Sequence, residues 1–325
     1  MMARKPPRSH SRNLRRMTMT LFASAQRWLR ASRPGFLVVS LVAAVLGVVI
    51  PQACGCGWDA PAAVATVLLA VLTHAAVNLY NDWGDDRLGS DAINTQRLFP
   101  FSGGSRVIQE GVVSAEAMLT AAQILAIVVV GGGVILAARS GPGLLLVGLA
   151  GLALGWAYSN PRIALMGRGW GELAVALGWW LIVIGADYVQ RHSFSAIAAV
   201  AAVPLALLVA AILWAAEFPD AQADAASGKH TLVVRWGPRR AVWGYAALVT
   251  LAHGWVGAWW WVDWLPSTAW WALGAAPLSL AAAVALGRHA NEVARLRPAI
   301  ALTIAAAVGH GVLLIAAFVA IARMR

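Results

Sequence analysis

The chain has 325 residues, of which 60% are hydrophobic and only 12% charged, about half the charged fraction of an ordinary soluble domain. That composition excludes a soluble globular protein. The net charge of +11 invites a nucleic-acid partner, but no basic face with interleaved aromatics appears, so a nucleic-acid-binding protein is set aside as well.

The first 25 residues read as a basic, largely disordered cytosolic arm. The first 34 residues resemble a signal peptide only in being basic and lack its short apolar segment and small-residue cleavage site. Nine apolar runs follow, at about 36–54, 60–80, 115–138, 142–158, 170–190, 194–217, 241–262, 268–287 and 299–322. Crossing the hydrocarbon layer takes roughly 20 such residues per helix. With no water to satisfy its backbone there, each run must be helical. The expected fold is an all-α polytopic membrane bundle of about nine spans around a central cavity, with its N-terminus in the cytoplasm.

Charge supports that orientation. With the arm inside, the inner loops are 81–114, 159–169, 218–240 and 288–298. All Lys and Arg then lie on the cytoplasmic side except Arg139, Arg191, Arg323 and Arg325, as the positive-inside rule requires. The positive charge therefore reports topology and attraction to anionic lipid. Cys54 and Cys56 fall on the outer side, as a disulfide or as free thiols. The Trp259–Trp261 run and Trp264 read as anchors at a membrane surface. Gly131-Gly132-Gly133 favours close helix packing.

Acids are costly near membrane spans, so their positions carry information. Of the 14 Asp and Glu, half fall in two short windows. The first is Asn81-Asp82-Trp83-Gly84-Asp85-Asp86-Arg87-Leu88-Gly89-Ser90-Asp91; the second runs from Glu217 through Phe218, Pro219 and Asp220 to Asp224. Each begins where an apolar run ends, and both face the cytoplasm. Asn78, Asp82 and Asp85 or Asp86 recur at helical three- and four-residue steps, as do Asn81 and Asp85, which stacks them on one stripe. Gly84 and Gly89 suggest that the helix then frays, so that Asp91 reaches back from a loop. Asp220 and Asp224 are also four apart, although Pro219 suggests the start of a new short helix there.

Two facing carboxylate clusters repel each other unless a positive group lies between them. Oxygen-only ligands suit Mg²⁺, usually held by one or two carboxylates with substrate phosphates and water. The expected ligand is a Mg²⁺-bound diphosphate, clamped further by Arg33, Arg97, Arg106, Lys229 and Arg235.

These residues resemble the UbiA superfamily of intramembrane prenyltransferases. Asn81-x₃-Asp85-x₅-Asp91 is similar to the first Asp-rich motif of the 1,4-dihydroxy-2-naphthoate prenyltransferase (MenA-like) branch. Asp220-x₃-Asp224 is similar to the second, and Gly228-Lys229-His230-Thr231-Leu232-Val233-Val234-Arg235-Trp236-Gly237 to its continuation. Arg33-Pro34, Ser102-Gly103-Gly104-Ser105-Arg106 and Tyr158-Ser159-Asn160-Pro161 add to the likeness, which runs from about residue 28 to 322. Residues 26–325 would then form one UbiA-like domain in a bacterial inner membrane. The resemblance implies that Asn81, Asp85, Asp91, Asp220 and Asp224, supported by Asp82 and Asn78, bind Mg²⁺ and diphosphate. Asp85, Asp220 and Lys229 would be catalytic, with Arg33, Arg106 and Asn78 on the diphosphate. It further implies transfer of a polyprenyl group to a small aromatic acceptor, with Tyr158 in the acceptor pocket. Ala216 departs from the Asn that relatives often carry there, and Asn160-Pro161-Arg162 replaces a more usual Pro-Pro pair.

Two further side chains are expected near the site. His74, four residues before Asn78, reads either as a packed, hydrogen-bonded core histidine or as an acceptor contact. Glu172 reads either as a cap of the fifth span or as a contact to the acceptor hydroxyl. His253 and His310 read as structural. The rival functions are a diphosphate-cleaving cyclase of the same superfamily and a membrane cation transporter; a transporter would place acids near mid-span.

Overall fold

In the computed structural model the described residues are 25–324; all but the last residue of the basic arm lies outside them. Among them the nine longest helices are α1 (Pro34–Val49), α2 (Ala60–Leu88), α3 (Ala115–Ser140), α4 (Gly143–Ser159), α5 (Gly171–Arg191), α6 (Ala196–Ala226), α7 (Pro238–Trp261), α8 (Ala276–His289) and α9 (Arg297–Arg323). No strand occurs among the described residues. Local chemistry sets the helix ends. Asp59 caps α2 by accepting from the Ala62 amide, and Gly89 in the left-handed region ends it; Ser114 caps α3 through the Ala117 amide. Proline stands in the first turn of α1, α7 and α9, where its missing N–H costs nothing.

Seven helical segments are long and apolar enough to cross a membrane, each of 21 to 31 residues. They contain α1, α2, α3, α5, α6, α8 and α9. At 17 residues α4 is shorter; α7 lies outside the seven and ends in three tryptophans. Of the nine spans expected, seven fall on helical segments with the full length and hydropathy of a span, and α4 and α7 do not.

Two boundary expectations are corrected. Helix α2 runs unbroken through Gly84 to Leu88, so Asp82 and Asp85 sit on regular helix. Gly84 is there for packing: a Cβ on it would collide with the Ser159 carbonyl at the end of α4. Asp91 lies in a separate single turn, Ser90–Ile93, started by Gly89. Helix α6 likewise passes through Pro219 to Ala226, so no new helix begins there. Buried neighbours hold that turn in place: Glu217, Phe218 and Pro219 are all inside the protein.

Helix α6 is the central element, with alanines at Ala201, Ala202, Ala211 and Ala215 buried against its neighbours. Small side chains there bring helix axes close, as membrane packing favours. Helices α7 and α9 pack on one side of it, and α8 packs on those two. On the other side, α1 to α6 surround a largely apolar cavity of about 460 Å³. The connection from residue 94 to 113 folds over one end of this cavity. Val107 and Val113 pin it by packing with Leu79, Met118 and Ala122.

Cys54 and Cys56 are joined by a disulfide at the far end of α1.

Candidate active site

The two acid windows meet at the end of the cavity lined by Arg33, Asn78 and Asn81. Continuous helix through both windows is what brings them together. On α2, Asp82 is 2% exposed and is tied by an ion pair to Arg33 and by the Ser105 hydroxyl. Asp85 accepts from Lys229 Nζ at 2.5 Å and from Ser90 Oγ at 3.3 Å. Asn81 accepts from Arg33 at 3.2 Å and donates to Met166 Sδ at 2.9 Å. Asn78 donates to the Ser32 carbonyl at 2.9 Å and so holds the chain leading into α1. Asp86 faces Gln109 instead, outside the group.

On α6, Asp224 lies 3.5 Å from Lys229 Nζ. Asp220 accepts from Asn94 Nδ2 at 2.6 Å and from the Gly103 amide at 2.9 Å. Both of its oxygens therefore clasp the 94–113 connection. The positive group required between the clusters is the Lys229 ammonium. Burial works against that charge, but Asp85 and Asp224 outweigh it and hold Lys229 above its ordinary range. Arg33 is raised in the same way, with Asp82 as the main opposing charge.

Asp91 is 5% exposed, and its Oδ2 has no hydrogen-bond partner. Burial, followed by the nearby Asp85, pushes this carboxyl up to about 7. It lies against Gly104, where a Cβ would collide with the carboxylate. Arg106 donates to the Asp91 carbonyl at 2.8 Å, so it orients the turn that carries Asp91. Arg235 joins the Arg168 and His230 carbonyls at 2.7 and 2.8 Å, and Arg97 lies over Phe99.

An unsatisfied buried carboxylate oxygen among all-oxygen donors fits a hard cation such as Mg²⁺. Among the described residues no three His, Cys, Asp or Glu side chains form a ready metal site.

The acceptor candidates separate. Tyr158 and His74 line the cavity. His74 is also a packed core residue, with Ser40 Oγ 2.9 Å from Nδ1 and Trp179 edge-on at 4.9 Å. Glu172 is not in the wall; it is buried. His253 and His310 lie near each other, 5.8 Å between ring centroids, away from the cavity. Sequence reasoning missed Asn94, whose partner Asp220 is 126 residues away. No local pattern marks such a pairing.

The sequence profile of the UbiA prenyltransferase family matches residues 40–304. A protein named 1,4-dihydroxy-2-naphthoate octaprenyltransferase in Mycobacterium tuberculosis is 30% identical over 278 residues, covering 83% of this chain and 90% of its own. One of the same name in Escherichia coli is 29% identical over 241 residues, covering 72% of this chain and 76% of its own. A UbiA homolog from Archaeoglobus fulgidus, solved bound to DMAPP and Mg²⁺, has the same fold with a TM-score of 0.61 at 16% identity, covering 89% of this chain and 99% of that one.

Proposed function

The chain is an integral membrane prenyltransferase belonging to the UbiA family, and from that premise we propose that it transfers a polyprenyl group from a Mg²⁺-bound prenyl diphosphate to a 1,4-dihydroxy-2-naphthoate-like acceptor in quinone biosynthesis. The observation that carries this reading is Lys229, held between Asp85 and Asp224 at the mouth of an apolar cavity. Polar groups for a diphosphate and an apolar sleeve for an isoprenoid tail adjoin each other there. Relatives named for a naphthoate acceptor favour that acceptor. In the orientation we propose, all nine long helices span a bacterial inner membrane, the N-terminus is cytoplasmic, and the site opens to the cytoplasm.

Asn81, Asp82, Asp85, Asp91, Asp220 and Asp224 are the residues that would hold Mg²⁺. When bound, Mg²⁺ supplies positive charge to the diphosphate as it leaves. Lys229 turns its ammonium from Asp85 and Asp224 to the diphosphate oxygens, where its charge counts for more as the leaving group develops. Arg33 stands beside it. The cavity walls, among them Phe36, Val39, Leu152 and Trp179, exclude water from the allylic cation. The 94–113 connection, clasped by Asp220, covers the site.

The test is product analysis. Purified protein with Mg²⁺, prenyl diphosphates and a panel of aromatic acceptors should yield a coupled product with 1,4-dihydroxy-2-naphthoate. Cleavage of the diphosphate with no acceptor alkylated would overturn the transfer and leave a cyclase-type reaction. Cation flux in proteoliposomes without any prenyl product would support a transporter instead.

A further inference from the structure

Below Arg33, Asn78, Asn81 and Tyr158 at its mouth, the cavity wall carries few polar side chains. Thr66 and Thr73 bond to carbonyls of their own helix, those of Ala62 and Leu69. The Ser40 hydroxyl and His74 Nδ1 lie 2.9 Å apart. His74 Nε2 makes no hydrogen bond. Trp179, edge-on to the imidazole at 4.9 Å, has a buried indole N–H with no partner. Two unpaired nitrogens thus lie side by side in an otherwise apolar wall.

Two antiparallel helices set the depth of this pair. Arg33, at the entry to α1, meets Asn81 on α2. Seven residues further along α1 and seven back along α2, Ser40 meets His74. Seven residues are two turns, about 10 Å, so the pair lies about that far below the mouth. A neutral imidazole that donates from Nδ1 to Ser40 keeps its Nε2 lone pair for the cavity. Leaving polar atoms unpaired in apolar surroundings is costly, and a ligand with matching groups removes the cost. An isoprenoid tail has no polar atom and matches neither nitrogen. A ring hydroxyl matches both, because it donates and accepts at once.

We propose that His74 selects the aromatic acceptor: its Nε2 accepts the hydrogen bond of a ring hydroxyl, and Ser40 positions the imidazole for it. This deepens the transferase reading above and rests on it. A 1,4-dihydroxy ring carries its hydroxyls on opposite edges. When it meets the allylic carbon just inside the mouth, one hydroxyl points down the cavity toward His74. No bond is made or broken at the imidazole. The hydrogen bond orients the ring and leaves more electron density on its oxygen, which makes the ring the better nucleophile.

The experiment measures kcat/KM for wild type, His74→Phe and Ser40→Ala with 1,4-dihydroxy-2-naphthoate and its two monohydroxy analogues, each lacking one ring hydroxyl. His74→Phe should lose about 10-fold with the dihydroxy acceptor, the value of one such hydrogen bond. It should lose nothing with the analogue that lacks the hydroxyl at His74. Ser40→Ala should lose less, in the same pattern, and KM for the prenyl diphosphate should not change in either variant. Equal losses on all three acceptors would overturn the proposal, because they mark a structural role. A change confined to the donor KM would overturn it in favour of a place on the isoprenoid tail, and so would wild-type behaviour of His74→Phe throughout. If melting in detergent shows that His74→Phe does not fold, Ser40→Ala decides by the same criteria. Wild-type protein that alkylates no aromatic ring would overturn the transferase reading itself, and this inference with it.

Discussion

Lys229 Nζ lies 2.5 Å from Asp85 Oδ1 across a sequence separation of 144 residues, and so joins the two acid motifs into one site. Its second carboxylate neighbour, Asp224, belongs to the other motif. Residues that act as a unit lose function non-additively. Lys229→Met and Asp85→Asn should each lower kcat/KM by about 10²-fold or more, the scale for one lost transition-state contact. The double variant should be little worse than the poorer single one. Additive losses in a double-mutant cycle would show that the two side chains act separately.

The Arg33–Asp82 pair is expected to matter for folding as well as binding. Removing Arg33 leaves Asp82 buried with Ser105 as its remaining side-chain partner. Breaking a buried pair from one side costs about 3–5 kcal/mol. Arg33→Ala should therefore unfold at clearly lower temperature in detergent than Arg33→Ala combined with Asp82→Asn. Equal melting temperatures for the two would refute the pairing.

Asn94 is the residue least visible beforehand and the simplest to test. It donates to Asp220 at 2.6 Å and so helps to hold the 94–113 connection over the site. A hydrogen bond to a charged group contributes about 1.5–3 kcal/mol. Asn94→Ala should raise KM for the prenyl diphosphate by roughly 10-fold or more and should make the connection more susceptible to limited proteolysis. Unchanged KM and cleavage would mean that the clasp is dispensable.

Glycine position separates packing from mere flexibility. A Cβ on Gly84 would meet the Ser159 carbonyl, whereas one on Gly131 would meet nothing within 4 Å. Overpacking costs about 1–3 kcal/mol. Gly84→Ala should lower the melting temperature and activity together, and Gly131→Ala should leave both intact. The reverse order would contradict the α2–α4 contact.

Much of this protein was legible before its fold. Composition and apolar run length determined a helical membrane protein, because a backbone without water has few ways to satisfy its polar groups. Carboxylate spacing pointed to Asp82, Asp85, Asp220 and Asp224, because helical steps of three and four bring side chains onto one stripe. Two local signals misled at Gly84 and Pro219, where buried neighbours overrode intrinsic propensity. What only the tertiary structure decided is how the polar groups pair. Lys229 stands between two motifs, Asp220 clasps a distant connection through Asn94, and Ser40 meets His74 in the cavity wall. None of these has a local signature. Each is a meeting of polar groups far apart in the chain, and its energy depends on burial that no sequence window contains.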